Sequence, residues 1–190
     1  MPSTVDRVLP RRRAALTPDE EGASVVEAFR EHHPRASGDL VVRAYRRAAE
    51  AHDGQQRKSG DPYISHPVAV AKVTADLGLD DTTIAAALLH DAVEDTRVAL
   101  AELREEFGAE VAAIVDGVTK LERLEFESRE AQQAATMRKM LVAMADDLRV
   151  LMVKLSDRLH NMRTLAAMPT EKQLRIAQET LDIYAPLAHR

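Results

Sequence analysis

The sequence predicts an all-α protein on the strength of three observations. Only 3% of its 190 residues are aromatic and none is Trp, a composition that favours helices over a β-sandwich or barrel. Apolar residues recur at helical spacing along most of the chain. The apolar segments are separated by Pro, Gly and Asp at positions where helices start and stop. The length suits one domain with a sizeable core.

The first helix follows from capping signals. Residues 1–20 carry several arginines and are expected to form a flexible basic lead, with the domain at residues 21–190. Thr17 fits an N-cap, Pro18 fits the first helical position, and Pro34 ends the helix. The predicted helices are, in order, 18–33, 40–52, 67–78, 84–96, 98–107, 110–121, 131–144, 150–165 and 172–188.

A turn-rich loop, residues 53–65, follows the second helix. Arg57 and Lys58 are adjacent cations in this loop, and Ser59 comes next. Such a group can contact a phosphate or the edge of a base, although most loops of this composition are only turns. His66 takes an N-cap-like position at the start of the next helix, where its ring is free to face another element.

Helix 84–96 gathers ionisable side chains on one face. At about 100° per residue, four of them fall within an arc of roughly 140°: His90, Asp91, Glu94 and Asp95. Apolar residues fill the opposite arc, and the small Ala87 points between the four polar side chains. Asp80 and Asp81 are expected to cap this helix. Gathering an imidazole and three carboxylates beside a buried face is costly unless a cation neutralises the charge. The alternative is a solvated acidic face with one chance histidine.

The next two predicted helices, 98–107 and 110–121, are amphipathic and are separated by Gly108. Segment 121–135 is highly charged and is expected to be partly mobile. Helix 131–144 carries a methionine stripe, which is more typical of core packing than of a cofactor site.

Helix 150–165 also has a polar face. Asp157, His160, Asn161 and Thr164 share that face, and Leu151, Leu155, Leu159 and Met162 lie opposite. An Asp in so apolar a helix is rarely buried without a partner. The alternative is a surface pair between Asp157 and a neighbouring Arg or Lys, and Arg158 is expected to point elsewhere. The last helix is expected to be kinked or stopped at Pro186.

Composition excludes several classes of protein. The formal charge of −5 argues against a dedicated duplex-DNA binder. There is no cysteine, so disulfides, Cys-ligated zinc and thiol catalysis are excluded. No run approaches the ~18 apolar residues of a membrane span, and the N-terminus lacks the apolar core of a secretory signal. A cytoplasmic protein is therefore expected.

The polar residues suggest a metal site. The candidate ligands are His66, His90, Asp91 and Asp157. Two imidazoles and two carboxylates from three helices suit Mn²⁺, Fe²⁺ or Zn²⁺ with open positions for water and substrate. A bound metal lowers the pKa of its water. Glu94 and Asp95, one turn beyond, would move protons or orient that water. The expected chemistry is hydrolysis of a phosphate ester or anhydride.

The order of these ligands, His…His-Asp…Asp, is that of the HD phosphohydrolase superfamily. The surrounding motifs are more specific: RKSGDPYISHP (57–67), AALLHDAVEDT (86–96), DGVTKL (116–121), VKLSDRLHNMRTL (153–165) and YAPLAHR (184–190). Together they resemble the hydrolase domain of RelA/SpoT homologues, the long alarmone enzymes. The resemblance runs from about residue 25 to the end.

The resemblance implies an all-helical HD fold that removes the 3′-pyrophosphate of (p)ppGpp, with Mn²⁺ as the usual ion. It assigns metal ligation to the four candidate ligands and water activation to Glu94 and Asp95. It assigns nucleotide contacts to Arg57, Lys58, Ser59, Asn161 and Thr164. In the family a synthetase domain follows YAPLAHR, so the chain is expected to be the N-terminal fragment of a bifunctional hydrolase–synthetase. Segment 121–135 matches a region that couples the two activities.

Two other functions fit the same residues. Stand-alone HD hydrolases of this type resemble the chain and accept NADPH, removing its 2′-phosphate, and a substrate panel would separate the two activities. The second is a non-catalytic nucleotide-binding module with a structural metal. Glu94 and Asp95 argue against that module, because a structural site has no use for two further carboxylates one turn away.

Overall fold

The computed structural model describes residues 18–122 and 146–189, together with positions 138 and 142. In these residues the only strand-like pairing is an isolated bridge between Gln56 and Pro62, so the all-α prediction is confirmed. The helices are α1 (Pro18–His32), α2 (Asp39–Ala51), α3 (Ser65–Asp76), α4 (Asp81–Leu89), α5 (Ala92–Asp95), α6 (Leu100–Phe107), α7 (Ala109–Glu122), α8 (Leu148–Arg163), α9 (Thr170–Glu179) and α10 (Ala185–Ala188).

Three predictions concern residues outside the described part of the chain. The division into a lead at 1–20 and a domain at 21–190 stays a prediction, because residues 1–17 are not described. The same holds for residues 123–135 of the segment 121–135 that is expected to be partly mobile, whereas residues 121 and 122 end α7. It also holds, apart from two positions, for the methionine-striped helix 131–144.

Helix α3 begins earlier than the sequence predicted, and this places His66 in its first turn. The backbone N–H groups of Ser65 and His66 donate to the carbonyls of Pro62 and Tyr63, at 3.2 and 2.9 Å. These short-range bonds wind the chain into a helix before Pro67. His66 is consequently 2% exposed and projects from a fixed helix end.

Helix α4 lies at the centre of the fold. Every residue from Thr83 to Leu89 is buried, and the helix packs against α2, α3 and α7. The prediction of a helix with one polar face is wrong for this part, because Ala87, on the expected polar side, is fully buried. Asp80 caps α4 as predicted, accepting a hydrogen bond from the Thr83 backbone N–H at 2.8 Å.

The prediction of one continuous helix over 84–96 is also wrong. Helix α4 ends at Leu89, α5 begins at Ala92, and His90 and Asp91 form the junction between them. Asp91 has φ −86° and ψ −12°, close to the bridge region where many active-site residues lie. Hydrophobic periodicity cannot detect such an interruption, because both residues keep right-handed helical dihedrals.

Helix α8 crosses α3 and α7 and buries one side against them. Gly117 lets α7 and α8 approach closely, since a Cβ at that position would lie 2.7 Å from Val150 Cγ2. Leu159 is 42% exposed, so its predicted place on the buried face is wrong. Leu151 is buried as predicted, and Val150 and Val153 are buried with it.

The C-terminal helix is interrupted before Pro186, as predicted. A π-helical turn, Thr180–Tyr184, joins α9 to α10. Proline has no N–H to donate and its ring clashes with the carbonyl four residues earlier, so the preceding turn widens. None of the described helices combines the length and the low polarity that a membrane span requires.

Because α4 is buried all round, we expect Leu88→Ala to destabilise the domain strongly. Leu88 has no exposed surface, and truncating such a leucine costs about 2–5 kcal/mol. Leu174→Ala on α9 is the matched control, because Leu174 is 68% exposed and its loss should cost less than about 0.5 kcal/mol. Urea unfolding followed by circular dichroism measures both. Equal losses in the two variants would contradict the central position of α4.

Candidate active site

Three elements bring the four predicted ligands together. His66 comes from the first turn of α3, His90 and Asp91 from the α4–α5 junction, and Asp157 from α8; none is more than 7% exposed. His66 Nε2 lies 3.2 Å from Asp157 Oδ1 and 3.4 Å from Asp91 Oδ2. His90 Nε2 lies 3.0 Å from Asp91 Oδ1.

Three of these residues form a candidate metal site. One ligand atom from each of His66, His90 and Asp157 lies within 4.8 Å of the other two. His90 Nδ1 must carry a proton, because it lies 2.8 Å from the Ala87 carbonyl oxygen, which can only accept. Its buried Nε2 lies 3.0 Å from Asp91 Oδ1 but has no hydrogen-bond partner among the described residues. An unsatisfied buried nitrogen beside carboxylates fits a metal ligand.

The electrostatics of the site favour a bound cation. Burial alone would lower the pKa of His90, but the charges of Asp91 and Asp157 outweigh it and raise that pKa to about 9. Burial alone would raise the pKa of Asp157, but Lys154 and His66 hold it well below its usual range. Both effects mean that ionised carboxylates dominate the site, so it attracts positive charge.

Asp157 is held by partners on its own helix. Lys154 Nζ donates to Asp157 Oδ2 at 2.9 Å, and Asn161 Nδ2 donates to Oδ1 at 2.6 Å. The surface Asp–Lys pair considered as an alternative is therefore present, but it is buried and it leaves Asp157 beside His66. Arg57 Nη2 donates to Asn161 Oδ1 at 3.2 Å and connects the loop before α3 to this network.

His160 faces the far side of the His66 ring. The two Nδ1 atoms lie 2.7 Å apart, so one ring donates and the other accepts. Burial, with help from the charges of His66 and Arg57, lowers the pKa of His160 to about 4, so His160 is neutral near pH 7. A His66 that binds a metal through Nε2 carries its proton on Nδ1 and donates it to His160, which fixes the tautomer.

The acidic pair lies at the edge of the site. Glu94 and Asp95 are exposed, unlike the buried His90 and Asp91. The hydroxyl oxygen of Tyr63 lies 2.6 Å from Asp95 Oδ2 and 2.9 Å from Asp91 Oδ2. The structure thus separates the four polar residues of this segment into a buried pair and an exposed pair, joined by a tyrosine.

A cavity of about 350 Å³ opens beside the buried residues. The predicted site residues that line it are Arg57, His66, Asp91, Glu94, Asp95, Asp157 and Asn161. Its other walls carry the cations Lys154, Arg158 and Lys172 and the apolar side chains of Leu165, Met168 and Ile176. Tyr63 also lines the cavity, as does Glu179, whose carboxylate pairs with Arg158. Carboxylates at one end, cations around the wall and an apolar strip suit a nucleotide-sized polyanion.

Three of the predicted nucleotide contacts lie outside this lining. Lys58 and Ser59 are exposed, and Ser59 Oγ donates to Asp61 Oδ2 at 2.7 Å. Thr164 Oγ1 donates back to the carbonyl of His160 at 3.1 Å. The structure therefore brings Arg57 and Asn161 to the cavity, while these three side chains are not part of its lining.

Sequence reasoning missed several residues of the cavity. Arg158 was expected to point elsewhere, and this is wrong: it lines the cavity, paired with Glu179 at 3.2 Å and with its guanidinium 3.9 Å from the Tyr184 ring. The sequence placed His160 on the same helix face as Asp157, and this position was a signal from which its contact with His66 could have been predicted. Tyr63 stands in the motif PYISHP, but nothing in its spacing indicated contact with two carboxylates.

Comparisons with known proteins identify the family of this chain. The sequence model of the HD domain matches residues 44–190. A probable GTP pyrophosphokinase of Mycobacterium leprae is 52% identical over 184 residues, which cover 97% of this chain and 23% of that protein. A GTP pyrophosphokinase of Streptomyces coelicolor is 59% identical over 150 residues, covering 79% of this chain and 18% of that protein. The chain thus spans about a fifth of the length of these relatives.

A solved structure is similar over most of its length. It is described as "A metazoan ortholog of SpoT hydrolyzes ppGpp and plays a role in starvation responses", and it superposes with a TM-score of 0.60 at 25% identity. The superposition covers 89% of this chain and 86% of that one. Because the HD domain match covers well over half of the sequence, and the relatives and this structure are of the RelA/SpoT kind, the chain belongs to the HD domain family as the HD domain of a RelA/SpoT homologue.

Proposed function

We propose that this domain hydrolyses (p)ppGpp to GDP or GTP and pyrophosphate. The observation that carries the proposal is the buried cluster of His66, His90 and Asp157, with an unsatisfied His90 Nε2, at the end of a nucleotide-sized cavity. The similar solved structure is of a protein that is described as hydrolysing ppGpp. The longer relatives are named for pyrophosphokinase activity, so the hydrolytic direction is the part that needs an experiment.

His66, His90, Asp91 and Asp157 are proposed to hold a divalent ion. Their nitrogen and carboxylate donors, in a chain without cysteine, suit Mn²⁺, with Fe²⁺ or Zn²⁺ as alternatives. When bound, such an ion supplies a water of lowered pKa and neutralises phosphate charge. The hydrogen bond between His66 and His160 would hold the His66 ring in place for such an ion, and the hydrogen bond from Asn161 would hold the Asp157 carboxylate.

Glu94 and Asp95 are proposed to accept the proton of the attacking water. Both line the cavity and both are exposed, so their carboxylates are accessible to the attacking water and can accept a proton from it. The water oxygen bonds to the phosphorus next to the 3′-oxygen, the bond from phosphorus to the 3′-oxygen breaks, and that oxygen takes up a proton. The products are a free 3′-hydroxyl and pyrophosphate.

Cations around the cavity are proposed to hold the substrate. Arg57 and Asn161, which line the cavity, are proposed to contact the nucleotide. Lys58, Ser59 and Thr164, which are not part of the lining, stay predicted contacts. The wall formed by Arg158 and Lys172 would bind phosphate oxygens. Leu165, Met168 and Ile176 offer a flat apolar surface for a base.

The direct test is product analysis with metal-free protein. With ppGpp and added Mn²⁺ we expect GDP and pyrophosphate in equal amounts, and neither product when Mn²⁺ is omitted. The same protein incubated with NADPH tests removal of the 2′-phosphate, the main alternative reaction. Faster phosphate release from NADPH than pyrophosphate release from ppGpp would replace the proposed substrate. Binding of ppGpp without any turnover would favour the non-catalytic module.

Arg57→Ala should raise the KM for ppGpp by about 10- to 100-fold, because a charge-assisted hydrogen bond contributes about 1.5–3 kcal/mol. The Mn²⁺ affinity should not change, since Arg57 contacts Asn161 and no proposed metal ligand. Arg46→Ala, an exposed arginine on α2, is the control and should leave the KM unaltered. An unchanged KM in Arg57→Ala would exclude this arginine from substrate binding.

A further inference from the structure

Tyr63 makes an unusual contact between two carboxylates. Its hydroxyl oxygen lies 2.9 Å from Asp91 Oδ2 and 2.6 Å from Asp95 Oδ2. One carboxylate belongs to the buried ligand cluster and the other to the exposed acidic pair. Within the described residues, Tyr63 is the hydrogen-bond donor to the side chain of Asp95.

The phenol stays protonated and therefore acts as a donor. Burial, reinforced by the charges of Asp91 and Asp95, raises the pKa of Tyr63 above its ordinary value. A phenol has one proton, so the two carboxylates share a single donor. The hydroxyl thus counters the repulsion between two like charges and fixes the distance between them.

The Tyr63 ring is held on several sides, so the hydroxyl has a fixed position. It stacks on the buried His52, with ring centroids 4.5 Å apart and planes 18° apart. The His66 ring meets it edge-on at 6.2 Å. The Arg57 guanidinium lies 5.7 Å from its centroid. Tyr63 therefore contacts the loop, a proposed ligand and the acidic pair together.

Asp95 needs such support because its position is exposed. A carboxylate that takes a proton in a reaction must be held within about 0.5 Å of the productive geometry, and solvent-exposed side chains sample several rotamers. Asp91 has a related need: its Oδ1 faces His90 while its Oδ2 faces Tyr63. The phenol thus restricts rotation of the Asp91 carboxylate.

We propose that Tyr63 is a positioning residue for the proposed hydrolysis, holding Asp91 in its orientation toward the metal site and Asp95 beside that site. The inference rests on the proposed function for its effect on turnover. Its effect on metal binding does not depend on the substrate.

Tyr63→Phe tests the inference, because it removes the hydroxyl and keeps the ring that stacks on His52. We expect the Kd for Mn²⁺, measured without nucleotide by electron paramagnetic resonance, to rise by roughly tenfold, and kcat on ppGpp to fall by about 10- to 100-fold. The KM should change little, since the hydroxyl contacts no wall cation. Tyr45→Phe makes the same chemical change in the core, at a buried residue of α2 outside the cavity lining, and should alter neither value.

A wild-type Mn²⁺ affinity in Tyr63→Phe would overturn the inference, and so would a wild-type kcat. Circular dichroism and the Tm, compared with those of Tyr45→Phe, verify that the variant is folded. If the unmodified protein releases no pyrophosphate from ppGpp, the proposed function fails. The Mn²⁺ comparison then still decides the inference by itself: weaker binding supports it and equal binding overturns it.

Discussion

Asp157→Asn is expected to reduce pyrophosphate release from ppGpp by roughly a thousandfold and to weaken Mn²⁺ binding. Asp157 lies 3.2 Å from His66 Nε2 and is 4% exposed, so its charge acts at short range in a medium of low polarity. An amide is neutral and a poor ligand for Mn²⁺. Losing about 4 kcal/mol of stabilisation by the metal corresponds to roughly a thousandfold in rate.

Asparagine is a better test than alanine because of Lys154. The ammonium of Lys154 is 6% exposed and donates to Asp157 Oδ2. Asp157→Ala would remove the carboxylate that this buried ammonium donates to, and breaking a buried ion pair costs about 3–5 kcal/mol, so lost activity could reflect unfolding. Asp157→Asn keeps an oxygen acceptor in the same place. Lys154→Met combined with Asp157→Ala gives a second variant, in which the buried ammonium is removed together with the carboxylate.

Three measurements separate lost turnover from lost metal binding and lost stability. They are pyrophosphate release with added Mn²⁺, a Mn²⁺ titration and urea unfolding. A stable Asp157→Asn variant with wild-type turnover would show that Asp157 is a structural partner of Lys154. The metal site would then have to be sought among other residues.

Capping and helix-stop residues explain why most of the fold was predictable. Pro18, Asp80 and Pro186 act through backbone geometry that depends only on near neighbours in sequence, and the structure places a helix boundary at or next to each of them. The errors concern tertiary effects. The polar face expected beside Ala87 is absent because α2, α3 and α7 surround α4, and no pattern within 84–96 contains that information.

For the site as well, local signals were predictable and tertiary contacts were not. His66 and Asp157 come from two different helices and His90 from the α4–α5 junction, and the sequence identified all three through residue type and the HD motif order. Contacts that depend on side-chain direction were missed, including those of Tyr63 and Arg158. The direction of Arg158 is determined by Glu179 and Tyr184, more than twenty positions away, so no local pattern could reveal it.

Glu94→Gln is expected to lower kcat on ppGpp by about 100- to 10,000-fold, the usual contribution of a general acid or base. The change removes the ability to accept a proton and preserves the shape of the side chain. Because Glu94 is exposed at the cavity edge and belongs to no part of the buried cluster, the Kd for Mn²⁺ should stay at the wild-type value. The KM for ppGpp should change far less than kcat.

This combination of results separates an enzyme from a binding module that retains a structural metal. In an enzyme, Glu94→Gln binds Mn²⁺ and ppGpp and turns over slowly. In a structural site, the same change would weaken metal binding or stability, and turnover would be absent from the wild type as well. Glu105→Gln, at an exposed glutamate of α6, controls for the loss of one surface charge and should behave as the wild type. Equal kcat values for Glu94→Gln and Glu105→Gln would exclude Glu94 from proton transfer and leave Asp95, held by Tyr63, as the remaining acid of the pair.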